Sequence, residues 1–184
     1  MSASRVRAMI EGALMVALSI VLGYFRLFRL PYGGSFDLSL VPLFIYCLRW
    51  GSKWSFAACL VSGVLSYFLN GGISISWQSM LLDYVAAQLL MGLCGFAAGR
   101  KGGWLWGPVL GMFGRFVSLF LSGGLIWHMY MPESFLGLPM VDPWIYSALY
   151  NGVLCGIVLI LNLVVLGLLS ASPKLHRLIL RRQY

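Results

Sequence analysis

One acidic residue inside a long apolar segment places the strongest constraint on this chain. The segment from Gln78 to Gly99 is long and apolar enough to cross a lipid bilayer, and Asp83 is its single charged residue. One helical crossing needs about 20 apolar residues. A charge near the centre of such a helix costs roughly 2.5–3.5 kcal/mol on insertion scales. We therefore expect this carboxylate to face the protein interior, to pair with a cation or to bind a ligand.

The composition of the whole chain is that of an integral membrane protein. Hydrophobic residues make up 60% of the 184 residues and charged residues only 10%, whereas a soluble domain carries about 25% charged residues. At about 20 residues per crossing, the length leaves no room for an additional soluble domain. We predict an all-α integral membrane protein, with residues 1–184 as a single membrane domain. The apolar segments predict a six-transmembrane-helix bundle with helices at about 6–25, 38–50, 53–69, 78–99, 104–124 and 143–170.

The basic residues predict how this bundle is oriented. Ten of the thirteen Lys and Arg residues fall on one predicted side, at the chain ends and in the second and fourth connections. The positive-inside rule assigns that side, and therefore both termini, to the cytoplasm. The net charge of +8 then reflects topology, and we expect no nucleic-acid partner. The ten residues are Arg5, Arg7, Arg49, Lys53, Arg100, Lys101, Lys174, Arg177, Arg181 and Arg182.

Polar and aromatic residues gather at the predicted outer ends of helices four, five and six. A carboxylate at Asp83 is able to accept hydrogen bonds from a cation or from an amidine-like nitrogen edge. The alternative role of Asp83 is a salt bridge with Arg115, the only basic residue well inside a predicted helix. Ligand binding and the salt bridge do not exclude each other. The set favours a site for a small, flat organic molecule. Its other members are Tyr84, Gly123, Trp127, Tyr146, Tyr150 and Asn151.

The sequence contains no motif for catalysis, metal binding or ATP hydrolysis. HExxH, GxSxG and Walker motifs are absent, and His128 and His176 are isolated. The four cysteines fall singly in predicted helices, which is typical of reduced apolar residues rather than disulfides or metal ligands. We expect no enzyme activity, cofactor or metal. A structural or assembly membrane protein, in which Asp83 and Arg115 merely pair, is the alternative from a different class.

Five stretches spread over almost the whole chain form a recognisable series. They are EGALMVA (Glu11–Ala17), SFDLSLVPL (Ser35–Leu43), LLDY (Leu81–Tyr84), RFVSLFLSGGLIW (Arg115–Trp127) and WIYSALYNG (Trp144–Gly152). In this order they resemble the thiamine-specific substrate-binding subunits of energy-coupling-factor transporters, the ThiT or YuaJ family. The resemblance implies a six-helix fold in a prokaryotic cell membrane, with a vitamin site near the outer face. It also implies docking onto a transmembrane coupling protein that two ATPase subunits drive.

The resemblance also implies roles for individual residues. Asp83 falls where the family has a glutamate that contacts the aminopyrimidine of thiamine, so the acid is kept but is one methylene shorter. Ala13 and Ala17 match the family's AxxxA docking motif, whereas their spacing alone favours packing within the bundle. The other family ligand positions fall on Tyr84, Gly123, Trp127, Tyr146 and Asn151.

Three candidate positions depart from the family pattern. Ser35 replaces a tryptophan, Ile73 a tyrosine and Leu119 a histidine. Sites built on hydrogen bonds tolerate such gaps poorly. Either a nearby aromatic residue supplies the lost contact, or the ligand is a thiamine precursor or analogue such as a pyrimidine or thiazole. The candidate replacements are Trp77, Tyr32 and Phe36.

Overall fold

The computed structural model describes residues 3–26, 28–29 and 34–172. Tyr32, His176 and the predicted basic cluster at positions 174–182 lie outside these residues. Within them the chain is mostly helical, and the predicted and observed helix ends differ by a few residues at most. The helices are α1 (Ala3–Tyr24), α2 (Leu40–Trp50), α3 (Ser52–Leu69), α4 (Trp77–Ala97), α5 (Gly103–Leu125) and α6 (Pro143–Ala171).

Five of the helices in the described residues are long and apolar enough to cross a membrane, namely α1, α3, α4, α5 and α6. α2 has only 11 residues. At 1.5 Å per residue it spans roughly half of a hydrocarbon core of about 30 Å. The described chain therefore contains five candidate membrane spans, and α2, which has nearly its predicted bounds, is too short to be a sixth crossing by itself.

The connection before α2 runs inward along α6. The backbone oxygen of Asp37 accepts a hydrogen bond of 3.1 Å from Nδ2 of the buried Asn162. Asn162 lies roughly 28 Å along α6 from its first residue, Pro143. At the far end of α2, Arg49 forms an ion pair of 2.9 Å with Glu11 of α1. A short helix therefore suffices here, because α2 begins deep in the bundle rather than at its outer surface.

α4 departs from regular geometry around Asp83. Residues Leu81–Ala86 form a π-helix and Gly92–Ala97 form a 3-10 helix. In a π-helix each hydrogen bond joins residues five apart. This winding brings Asp83 and Gln88 towards one face of α4, whereas a regular α-helix would turn them about 140° apart. Single π turns inside helices frequently mark functional sites.

A row of glycines lets α5 approach α4 closely. A Cβ atom added at Gly107 would lie 2.6 Å from Cβ of Ala97, and one added at Gly111 would lie 2.6 Å from the carbonyl oxygen of Met91. Small residues at four-residue spacing permit such close backbone contact in membrane helices. The contact fixes the helix that carries Asp83 against the one that carries Arg115.

Two short antiparallel hairpins lie in the connections between α1 and α2 and between α5 and α6. β1 (Phe28–Arg29) pairs with β2 (Ser35–Phe36), and β3 (Ser134–Phe135) pairs with β4 (Leu138–Pro139). The second hairpin turns through Leu136 and Gly137, which both have positive φ angles of 53° and 78°. Two such residues are the requirement of a type I′ turn. Sequence reasoning predicted loops in both places.

Candidate functional site

A cavity of about 240 Å³ lies among α1, α3, α4, α5 and α6, with the segment before α2 and the loop after α3 completing its wall. Small-molecule sites are typically about 300–1,000 Å³, so this cavity lies slightly below the usual size. The predicted ligand-binding residues come from five separate parts of the chain, and all of them line this one cavity. They are Ser35, Asp83, Tyr84, Gly123, Trp127, Tyr146 and Asn151.

Asp83 is held at the cavity wall by neutral donors. Its Oδ2 atom accepts hydrogen bonds from Ser79 Oγ at 2.9 Å and from Trp127 Nε1 at 2.8 Å. These two bonds fix the orientation of the carboxylate. An ionised carboxylate accepts about four hydrogen bonds, so acceptor capacity remains for a ligand in the cavity.

The predicted alternative, a salt bridge between Asp83 and Arg115, does not form. Arg115 Nη1 instead donates a hydrogen bond to Oε1 of Gln88. The structure shows no ion pair of Arg115 with any acid in the described ranges. The two residues lie at different depths in the bundle. Arg115 contacts α4 about one helical turn further in than Asp83, and at that level the π-helix presents Gln88.

Tyr84 joins the cavity to the loop between α3 and α4. Its hydroxyl accepts a hydrogen bond of 2.8 Å from the Ile73 backbone N–H and donates one of 3.2 Å to the Ile73 carbonyl. Its ring packs edge-on against Tyr67 with centroids 5.1 Å apart. Ile73 itself lines the cavity. Tyr84 therefore positions part of the outer wall as well as contributing to it.

Gly123 and Asn151 lie where α5 and α6 touch. A Cβ atom at Gly123 would come within 2.1 Å of Ser147 Oγ, so only glycine fits. Asn151 Nδ2 donates to the carbonyl oxygens of Leu119 at 3.2 Å and Ser147 at 3.1 Å. The amide nitrogen thus joins the two helices. Its Oδ1 has no donor among the residues described and is available as an acceptor.

Aromatic side chains surround the outer part of the cavity. Trp127 and Tyr130 lie at the two ends of a 3-10 turn with ring centroids 5.8 Å apart. Tyr146 and Tyr150 have centroids 5.7 Å apart, and Phe135 of β3 packs at 5.7 Å from each. Tyr130 was missed as a site residue because its segment was read as loop. The three-residue spacing from Trp127 was the available signal, since residues i and i+3 eclipse in a 3-10 helix.

The departures from the family pattern also fall on the cavity. Ser35 and Leu119 line it, and Ser35 Oγ donates a bond of 3.0 Å to Asp37. Trp77 is 68% exposed and Phe36 stacks on a neighbouring phenylalanine, and neither lines the cavity. Neither residue is therefore placed to supply a lost contact, and the third candidate, Tyr32, lies outside the described residues. The aromatic residues present there instead are Tyr130 and Tyr150.

Ala13 and Ala17 lie away from the cavity on the outer face of α1. Both are exposed, as are the neighbouring Leu14 and Leu18. The buried face of α1 carries other residues, such as Val16. Packing inside the bundle, which the spacing alone favoured, is therefore wrong for this pair.

No cluster in the described part of the chain has the composition of a metal centre. No three His, Cys, Asp or Glu side chains among those residues are placed to hold an ion. All four cysteines are buried and free, and Cys47 and Cys59 have Sγ atoms 3.9 Å apart. They pack as small apolar residues in the helix interior.

Membrane-length helices around a partly polar cavity define the class of the protein as a multi-pass membrane protein. The family model described as "Thiamine transporter protein (Thia_YuaJ)" matches residues 9–177, and the chain belongs to this family. Members of the family are named as transporters rather than enzymes.

Alignments with individual relatives cover most of the chain. It is 27% identical to the thiamine transporter ThiT of Bacillus subtilis, across 90% of this chain and 95% of the relative. It is 26% identical to ThiT of Lacticaseibacillus paracasei, across 90% of this chain and 88% of the relative. A solved structure of ThiT from Listeria monocytogenes has the same fold, with a TM-score of 0.76 at 21% identity over 93% of this chain and 97% of that one.

Proposed function

We propose that this chain is the substrate-binding membrane subunit of an ATP-driven vitamin importer of the energy-coupling-factor type, and that it binds thiamine from the outer side. One observation carries the proposal. Asp83 is oriented by Ser79 and Trp127 at the wall of a cavity that aromatic side chains surround. The family relationship supports thiamine as the first ligand to test.

The chemistry of the cavity matches the two rings of thiamine. The aminopyrimidine edge presents N–H donors, which suit the acceptor capacity of Asp83 and the Oδ1 atom of Asn151. The thiazolium ring carries a positive charge, and cations are attracted to the faces of Trp and Tyr rings. Trp127, Tyr146 and Tyr84 supply such rings in the wall.

A second candidate ligand is one half of thiamine, either a pyrimidine or a thiazole. Ser35 and Leu119 line the cavity where the family pattern has a tryptophan and a histidine. Each replacement removes a ring contact or a hydrogen-bonding group. A smaller ligand would need fewer of these contacts.

The exposed face of α1 suits the coupling protein as partner. Ala13 and Ala17 leave a shallow, apolar strip between larger exposed side chains such as Leu14 and Leu18, and small residues let a second helix approach closely. The sequence carries no Walker motif, so two separate ATPase subunits would supply the energy. The basic connections support a plasma-membrane topology with both termini in the cytoplasm, in which α2 and the segment that runs inward before it together make the second crossing.

Fluorescence titration of the purified protein tests which ligand it binds. Seven tryptophans give the signal, and Trp127 lies in the cavity wall. We expect saturable quenching by thiamine and little response to either half alone. Saturation by one half but not by thiamine would favour the second candidate. No response to any of the three in a folded sample would contradict binding of this vitamin.

A further inference from the structure

Arg115 is a cation within a candidate membrane span that pairs with no acid in the described chain. It lies roughly 18 Å along α5 from Gly103 and lines the cavity. Its observed partner is the neutral Oε1 atom of Gln88. A guanidinium carries five N–H donors, so most of them are left for whatever fills the cavity. An unsatisfied charge at this depth is costly.

Gln88 adds a second donor at the same place. Its side chain is 94% buried, at 6% exposure, and lines the cavity. Because Oε1 faces Arg115, the Nε2 amide points elsewhere, and no acceptor for it is found among the described residues. The pair is therefore rich in donors and poor in acceptors. The neighbours on α5, Met112 and Leu119, are apolar and offer no acceptor side chain.

The π-helix sets this pair in line with Asp83. Gln88 follows Asp83 by five residues, roughly 7 Å further into the bundle. The second acid in the cavity lining, Asp37, already accepts hydrogen bonds from Ser35 and Ser39. The cavity thus offers a ligand an acceptor at Asp83 and a donor pair at Arg115 and Gln88. A ligand that satisfies both ends must carry N–H donors at one end and an oxygen acceptor at the other.

We propose that Arg115 and Gln88 bind an oxygen acceptor of the ligand, which in thiamine is the oxygen of its hydroxyethyl arm. This assignment rests on the proposed function and orients the vitamin, with its aminopyrimidine at Asp83 and its hydroxyethyl arm towards the inner end of the cavity. It also gives the half-buried cation an acceptor that no acid in the described chain provides.

The test compares thiamine with an analogue in which an ethyl arm replaces the hydroxyethyl arm. Affinities of both are measured by calorimetry for the wild-type protein, Arg115→Met, Arg115→Lys and Arg100→Met. Arg100 is an exposed arginine outside the cavity and serves as the matched control. A hydrogen bond from a charged donor corresponds to about a 10- to 100-fold change in affinity.

We expect the wild-type protein and Arg100→Met to bind thiamine about 10- to 100-fold more tightly than the ethyl analogue. Arg115→Met should bind the two ligands about equally, at the level of the analogue, and Arg115→Lys should keep part of the preference. Equal binding of both ligands by the wild-type protein would overturn the assignment without any variant. An unchanged preference in folded Arg115→Met would overturn it as well. If wild type bound neither ligand, the proposed function itself would fail.

Discussion

Trp127 Nε1 donates a hydrogen bond of 2.8 Å to Oδ2 of Asp83. This bond joins the 3-10 turn that follows α5 to the π-helix within α4. The acid is thus held by a neutral donor and not by a protein cation. A cationic or N–H-bearing ligand therefore does not compete with an internal salt bridge for this carboxylate.

Removing the indole donor should weaken binding while keeping an aromatic ring at this position. Trp127→Phe deletes Nε1, and a hydrogen bond to a charged group contributes about 1.5–3 kcal/mol. Because Asp83 loses an orienting donor and the phenyl ring is smaller than indole, we expect a loss in thiamine affinity of at least about tenfold, measured by calorimetry. Trp77→Phe, at an exposed site outside the cavity, is the control. Equal affinities in the two variants would show that this bond does not prepare the site.

Adding one methyl group at Gly123 should force α5 and α6 apart. The new Cβ would lie 2.1 Å from Ser147 Oγ, and overpacking of this kind costs about 1–3 kcal/mol. We expect Gly123→Ala to lower both thermal stability and thiamine affinity. Gly156→Ala on α6, where nothing lies within 4 Å of the added atom, should unfold at the wild-type temperature or above. A wild-type melting temperature for Gly123→Ala would argue against the close contact.

The Tyr84 hydroxyl should control the outer loop. Tyr84→Phe removes both bonds to the Ile73 backbone, so we expect faster amide hydrogen exchange at Ile73 and faster thiamine dissociation. Tyr130→Phe is the control, because the Tyr130 hydroxyl makes no hydrogen bond within the described residues while its ring also lines the cavity. Identical exchange at Ile73 in both variants would refute a role for Tyr84 in holding the loop.

The helices and the cavity residues were predictable to different degrees. Long apolar segments separated by Gly, Pro or basic residues define helix positions, because each crossing must satisfy its backbone internally. The short α2 was not predictable as a partial crossing, since its depth depends on Asp37 meeting Asn162, 125 residues away. The hydrophobic periodicity of the sequence carries no information about a contact between residues so far apart in the chain.

The hydrogen-bond partner of Arg115 could not be predicted from the sequence either. The sequence predicts regular α-helices and offers a salt bridge of Arg115 with Asp83 as one role of this acid. The π-helix changes which α4 residues face the cavity, and Gln88 takes the guanidinium instead. Irregular winding depends on packing against α3 and α5, and the composition of LLDYVA (Leu81–Ala86) does not specify it.

Bulky residues on the α1 strip should separate transport from binding. Ala13→Trp and Ala17→Trp place large rings on an exposed face and touch no cavity residue. We expect wild-type thiamine affinity in the purified protein but loss of thiamine uptake by cells that contain the coupling module. Val164→Trp, on an exposed part of α6, is the control and should transport normally. Normal uptake by both alanine variants would exclude this strip as the docking surface.

The most direct measurement is a calorimetric titration of thiamine into the wild-type protein, Asp83→Asn and Asp142→Asn. Asp142 caps α6 through bonds to the backbone N–H groups of Trp144 and Ile145, and asparagine caps equally well. We expect wild type and Asp142→Asn to bind alike. Asp83→Asn should remain folded and lose at least about tenfold in affinity, because a charged acceptor is replaced by a neutral amide. Unchanged binding by Asp83→Asn would contradict the placement of the vitamin at this acid.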